Sequence, residues 1–281
     1  MLLSYLAAIV SVFIWALLPV LIKSTFNELP ITYFLVLRFV LATIILMPLF
    51  WRERKSLIEL PLKTHLIFLG VLGANYWLQS HAIKALPVSW YIVVFALNPL
   101  LTLLFLRTSV SRSLLMSIVL GVGGVGFFIG SEGEALGAIP LQSFLYLLGG
   151  MLTWVVYSLV ARSAQMSISD SALTALTQIS SFGAVLILWL MEGFPIESLN
   201  EMSRVSWEAT ILAGLGMPLA YYLYLYSLRR TPVFCQMSQY LELIFGLLFS
   251  FIIYREELHA YKIGGGVLIL MSLYLSSKAS T

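Results

Sequence analysis

Residues 15–23 read WALLPVLIK and residues 154–162 read WVVYSLVAR: a tryptophan opens each nonapeptide, a base closes it, and the residues between are almost all apolar. A second pair follows in the same order. Residues 82–88, AIKALPV, lie over residues 227–233, SLRRTPV, each a helix end, a base, and then a proline placed where a new helix can begin, since proline costs nothing in a first turn. Two matches in one order define an internal repeat, with halves expected at 1–135 and 140–281.

Around these segments the chain is apolar. Hydrophobic residues make up 60% of the 281 and charged residues only 10%, against roughly 25% charged in a soluble domain. So few charges cannot coat a water-facing surface. A helix needs about 20 apolar residues to cross the hydrocarbon core, and lipid offers the backbone no hydrogen-bond partner, so each long apolar stretch is a helix unless it alternates like a barrel strand. None alternates. The sequence predicts an all-α integral membrane protein with ten transmembrane helices, at 3–22, 31–50, 66–84, 88–106, 114–130, 142–161, 171–191, 208–227, 233–254 and 263–276. The first stretch has no base before it and no cleavage-like site after it, and reads as helix 1.

Ten helices in two copies give five per copy. Five is odd, so the second copy enters the bilayer from the opposite side, the plan of two inverted five-helix repeats that places a solute site at the repeat interface. Orientation comes from the bases. Arg52, Arg54, Lys55, Lys63, Arg107, Arg112, Arg162, Arg229, Arg230 and Lys278 fall on the side of both termini; Lys23, Lys84, Arg204, Arg255 and Lys262 fall opposite. The positive-inside rule then predicts both termini in the cytoplasm and a multi-pass protein of the plasma (inner) membrane.

Several chemistries are excluded. The net charge is only +3 and the bases are scattered, which gives nucleic acid no basic stripe. One aspartate, Asp170, rules out paired-aspartate catalysis, and no nucleotide-binding lysine motif is present. Gly121, Gly123 and Gly126 fit a dinucleotide pattern only by spacing; inside an apolar helix, like Gly264 to Gly266, they read as a small-residue face for close helix approach. The lone Cys235 permits no internal disulfide. His65 and His259 are too dispersed for a metal site, and no cofactor is expected.

Charges inside the expected spans carry the most information, because ionised groups there need a partner or water. Glu242 lies near the middle of helix 9, with Gln239, Ser238 and Cys235 on its face, as a substrate or proton site or as a structural carboxylate. Arg38 in helix 2 reads chiefly as structural, its long stem able to snorkel. Asn75 and Gln79 share one face of helix 3. Trp15, Tyr76, Trp77, Trp90, Tyr91, Trp154, Tyr157, Tyr221 and Tyr222 include several aromatics too deep for an interfacial belt; an aromatic cavity with one carboxylate suits organic amines, amino acids or quaternary cations. Pro99 and Pro218 should kink their helices.

In order and spacing these residues resemble the drug/metabolite transporter superfamily and its EamA-type ten-helix members. The resemblance rests on Trp15, Arg38-Phe39, Leu86-Pro87 and Asn98-Pro99 in the first half, and on Trp154 with Tyr157, Leu228 to Pro232, Tyr240-Leu241-Glu242 and Glu256 with Leu258 in the second. It implies a central cavity lined by helices 1, 3, 4, 6, 8 and 9, with Trp15, Tyr76, Gln79, Trp90, Trp154, Tyr157, Tyr222 and Glu242 as substrate-binding candidates. Leu243 and Thr108 depart from the family's proline and glutamate at those places. The expected function is ATP-independent export of amino acids or related amphiphilic metabolites, with protons as candidate coupling ion and a monomer or homodimer in the bilayer. The alternatives are import of an organic cation or another metabolite, an intramembrane lipid-modifying enzyme, which would need clustered Asp, His or Ser-His groups, and a non-transporting receptor or assembly subunit.

Overall fold

The computed structural model describes residues 1–86, 91, 95, 98–105, 111–131, 140–193, 202–249, 251–252 and 260–279. Among them the only regular structure is helical: α1 (Leu2–Glu28), α2 (Ile31–Ile58), α3 (Leu62–Ala85), α4 (Asn98–Phe105), α5 (Arg112–Ser131), α6 (Leu141–Ala164), α7 (Asp170–Met191), α8 (Arg204–Arg230), α9 (Pro232–Met237), a 3-10 turn (Ser238–Tyr240), α10 (Leu241–Phe249) and α11 (Ala260–Ala279). Five of the described helices, α1, α2, α6, α7 and α8, are long and apolar enough to cross a membrane. At 24 residues α3 is long enough too, but Asn75, Gln79 and Ser80, which line an internal cavity, dilute its hydropathy. Leu2, Ile44, Met47, Phe105, Leu145 and Leu270 are half or more exposed, or nearly so, along these rods, surface that lipid covers at no cost.

The expected ninth helix, 233–254, is not continuous. It starts one residue earlier, on Pro232, and passes through a 3-10 turn at Ser238–Tyr240 before resuming as α10. The Ser238 hydroxyl donates to the Cys235 carbonyl at 2.8 Å, and a hydroxyl bonding back along the helix competes with the backbone ladder. Elsewhere the helices run longer than expected: α1 continues past Lys23 to Glu28, and α2 past the membrane interface to Ile58.

The dominant pairings are α1 with α8, α3 with α6, α2 with α7 and α5 with α11. Exchanging the two halves of the chain maps the first pairing onto the second and each of the others onto itself, as a two-fold axis between halves requires. The correspondence holds at single contacts. A shift of 139 residues carries Trp15 to Trp154, Thr32 to Ser171 and Glu53 to Glu192. The Thr32 hydroxyl donates to Glu192 Oε2 at 2.6 Å, and the Ser171 hydroxyl donates to Glu53 Oε1 at 2.6 Å: one contact made twice. Trp15 and Trp154 meet edge to face at 5.0 Å.

Small residues let these helices approach. A Cβ on Gly124 would lie 2.7 Å from the Ile269 side chain and 2.8 Å from the Gly265 carbonyl, and one on Gly121 would lie 2.5 Å from the Tyr240 ring. Beside them the hydroxyls of Ser117 and Ser272 each donate to the other's backbone carbonyl, at 2.8 and 2.7 Å. The close face is therefore 121 and 124, one turn apart. Gly126 borders open space and Gly123 makes only ordinary contact.

Candidate functional site

Where the halves meet, Trp15, Leu18, Pro19 and Ile22 of α1 face Tyr76, Gln79, Ser80 and Ile83 of α3 across a cavity of about 660 Å³, its mouth included. Arg38, Asn75, Tyr91, Phe95, Asn98, Trp154, Met217, Tyr221, Gln239 and Glu242 complete the wall. The aromatic part is one cluster: Trp15 touches Trp154, Tyr221 and Tyr224 with centroids 5.0 to 5.8 Å apart, spacings that favour edge and tilted ring contacts.

The polar wall is mostly committed. The Tyr76 hydroxyl donates to that of Tyr221 at 2.8 Å, tying α3 to α8. Gln79 donates to Asn75 Oδ1 at 2.8 Å and accepts from the Tyr91 hydroxyl at 2.6 Å, while Asn75 donates to the Gly150 carbonyl and to Thr153 Oγ1, both at 3.0 Å. Gln79 is thus held in a network linking α3 to α6. Glu242 is different: it is 9% exposed, lines the cavity, and makes no hydrogen bond or ion pair among the described residues. It lies in the first turn of α10, just beyond the 3-10 turn.

Of the eight sequence candidates, Trp15, Tyr76, Gln79, Trp154 and Glu242 line this cavity. Tyr157 is fully buried behind it, its hydroxyl 3.1 Å from that of Thr177. Tyr222 is 39% exposed and faces away, while its neighbour Tyr221 lines the wall; one residue along a helix is a rotation of about 100°. Trp90 lies outside the described residues. Arg38, assigned a structural role from sequence, and Asn98 are added to the wall.

The cavity ends differently on its two sides. At one end Lys23 donates through Nζ to the Leu86 carbonyl, capping the last turn of α3. At the other, Arg162, the repeat counterpart of Lys23, donates to the carbonyls of Leu228 and Arg229 at 3.3 and 3.1 Å at the end of α8. Cations at helix C-termini are favourable because they meet free carbonyls and the negative dipole end. A clamp reinforces this second cap. Asp170 accepts from Arg229 Nε at 2.6 Å and from Arg230 Nη1 at 2.8 Å, Arg229 also donates to the carbonyls of Gln165 and Ile168, and Gln165 donates to the Leu225 carbonyl at 2.7 Å.

A membrane bundle built from exchanging halves around an aromatic-lined internal cavity is the architecture of a multi-pass membrane carrier. The chain belongs to the EamA-like transporter family: the family's sequence model matches residues 2–130 and again 141–278, one match in each half. This is a family of transporters. No curated protein matches the sequence. A solved structure described only as "Crystal structure of protein" is similar in fold, with a TM-score of 0.80 over 99% of this chain and 97% of that one, at 16% identity.

Proposed function

We propose that the protein is a secondary transporter that exports amino acids or related amphiphilic metabolites by alternating access around this cavity, without ATP. The observation that carries the reading is Glu242, an unpaired carboxylate buried in a ring-lined cavity. An uncompensated charge at that depth is expensive and is retained where a solute or a proton meets it. In this reading the halves are inverted five-helix repeats, at 1–135 and 140–281, of a ten-span chain with both termini in the cytoplasm of the inner membrane. The ten-to-five bias of bases and the exchange of Thr32–Glu192 with Ser171–Glu53 support it.

The test is flux in proteoliposomes. Solute counterflow is expected with no nucleotide present, and a strict ATP requirement would sink the assignment. Glu242→Gln keeps volume and hydrogen-bonding capacity but removes charge, so at matched protein levels it should lower flux or binding by roughly tenfold or more. Retained counterflow with lost pH-driven flux would assign Glu242 to proton exchange. Wild-type behaviour at every pH would make it structural.

A further inference from the structure

Arg38 is the second buried charge of the cavity. It is 4% exposed, and Nη2 has no hydrogen-bond partner among the described residues. No carboxylate pairs with it there; the ion pairs of the described residues all lie elsewhere, at Arg52, Arg204, Arg229 and Arg230. Two rings flank it, with the guanidinium carbon 4.6 Å from the centroid of Phe39 and 4.7 Å from that of Tyr76, and the Tyr76 hydroxyl is its one side-chain hydrogen-bond partner among the described residues, leaving Nη2 free. Ring faces fix the plane of a guanidinium without consuming its N–H donors. The opposite charge, Glu242, stands on the same wall yet does not neutralise it. An ordinary structural arginine at this depth would be matched by a carboxylate or by carbonyls, since an unmatched ion costs several kcal/mol.

We propose that Arg38 is the anion anchor of the cavity: the transported solute carries a carboxylate that docks on the guanidinium, while its cationic or apolar remainder lies toward Glu242 and the Trp15–Trp154 rings. The planar fork suits a carboxylate, and a solute bearing both charges meets each unpaired group at once. The proposal rests on the reading of the cavity as the solute site. It goes further in requiring an anionic group and in assigning that group to one residue.

Three probes of similar size separate these two claims: L-phenylalanine, 3-phenylpropionate, which lacks the amine, and phenethylamine, which lacks the carboxylate. Each is titrated against the intact protein in lipid nanodiscs, followed by tryptophan fluorescence and melting temperature. The anchor predicts that both carboxylates bind wild type and that Arg38→Gln weakens them by roughly tenfold or more, with phenethylamine unaffected or tighter. Arg38→Lys, which keeps the charge but loses the fork, falls between. If phenethylamine binds wild type and the carboxylates do not, the cavity reading stands and the anchor is overturned. Equal carboxylate affinity in wild type and Arg38→Gln also overturns it. If none of the three binds, the solute-cavity reading fails and the anchor with it. The wild-type comparison needs no substitution, so misfolding of Arg38→Gln would still leave a decisive result.

Discussion

The two ends of the bundle use one device at different strengths. Among the described residues, one cation, Lys23, caps one carbonyl at the end of α1 and α3; at the end of α6 and α8, Arg162 makes the equivalent cap and Asp170, Gln165, Arg229 and Arg230 lock it. The cavity follows the weaker end. Its wall reaches Ile22, next to Lys23, and Ile83, three residues from Leu86, but stops at Trp154 and Tyr221, each eight residues short of Arg162 and Arg229. A repeat supplies the same scaffold to both ends, and the few residues by which the copies differ decide which end carries the ion-paired lock.

The largest expected effect is on the lock. Asp170→Ala leaves Arg229 and Arg230 without their acid and should cost roughly 2–4 kcal/mol of stability. Lys23→Met at the other end should cost only about 0.5–1 kcal/mol. Equal melting-temperature losses in detergent would break the comparison. Thiol access sharpens it. In a Cys235→Ala background, a polar maleimide should label Ile83→Cys at least about tenfold faster than Ser158→Cys, and equal rates would mean that both ends open equally in solution. A smaller effect tests the symmetry itself: Thr32→Ala and Ser171→Ala each remove one copy of the same hydroxyl–carboxylate bond and should cost similar amounts, about 1 kcal/mol apiece. The smallest concerns acid. The Ser171 hydroxyl holds the Glu53 carboxyl below its ordinary value, so its contribution is complete above the ordinary carboxylate range and fades as pH falls through the lowered value. The melting difference between wild type and Ser171→Ala should therefore shrink as the solution is acidified.

The repeat was legible because its marks are rare residues in an apolar background: tryptophan, lysine or arginine, and proline at fixed spacing. Glu242 was legible for the same reason. Helix phase was not. In a soluble helix the polar side declares the outward face, but around α8 both lipid and protein accept apolar surface, so nothing in the run YYLYLY told Tyr221 from Tyr222. The place of Arg38 in the cavity wall was not legible, because sequence shows a charge but not which groups face it. For Gln79 the sequence showed the polar face it shares with Asn75 but not its second partner, the Tyr91 hydroxyl. The break at Ser238–Tyr240 depends on one hydroxyl choosing a backbone acceptor, a choice that composition does not record.

The cross-pairing of the halves has a consequence for synthesis. α1 waits for α8, α2 for α7, α3 for α6 and α5 for α11, so the first five-helix unit leaves the ribosome with its main neighbours still untranslated. Its polar contacts, such as those of Asn75 with Gly150 and Thr153, stay open until the second unit inserts, and the α5 glycine face is covered only when the last helix arrives. Quality control would meet a half-made chain as a set of loosely held rods with bare polar groups. Loss of α11 should therefore leave α5 without its main neighbour and lower the amount of protein that survives in the membrane, whereas a nick between the halves, made after assembly, should leave them held together.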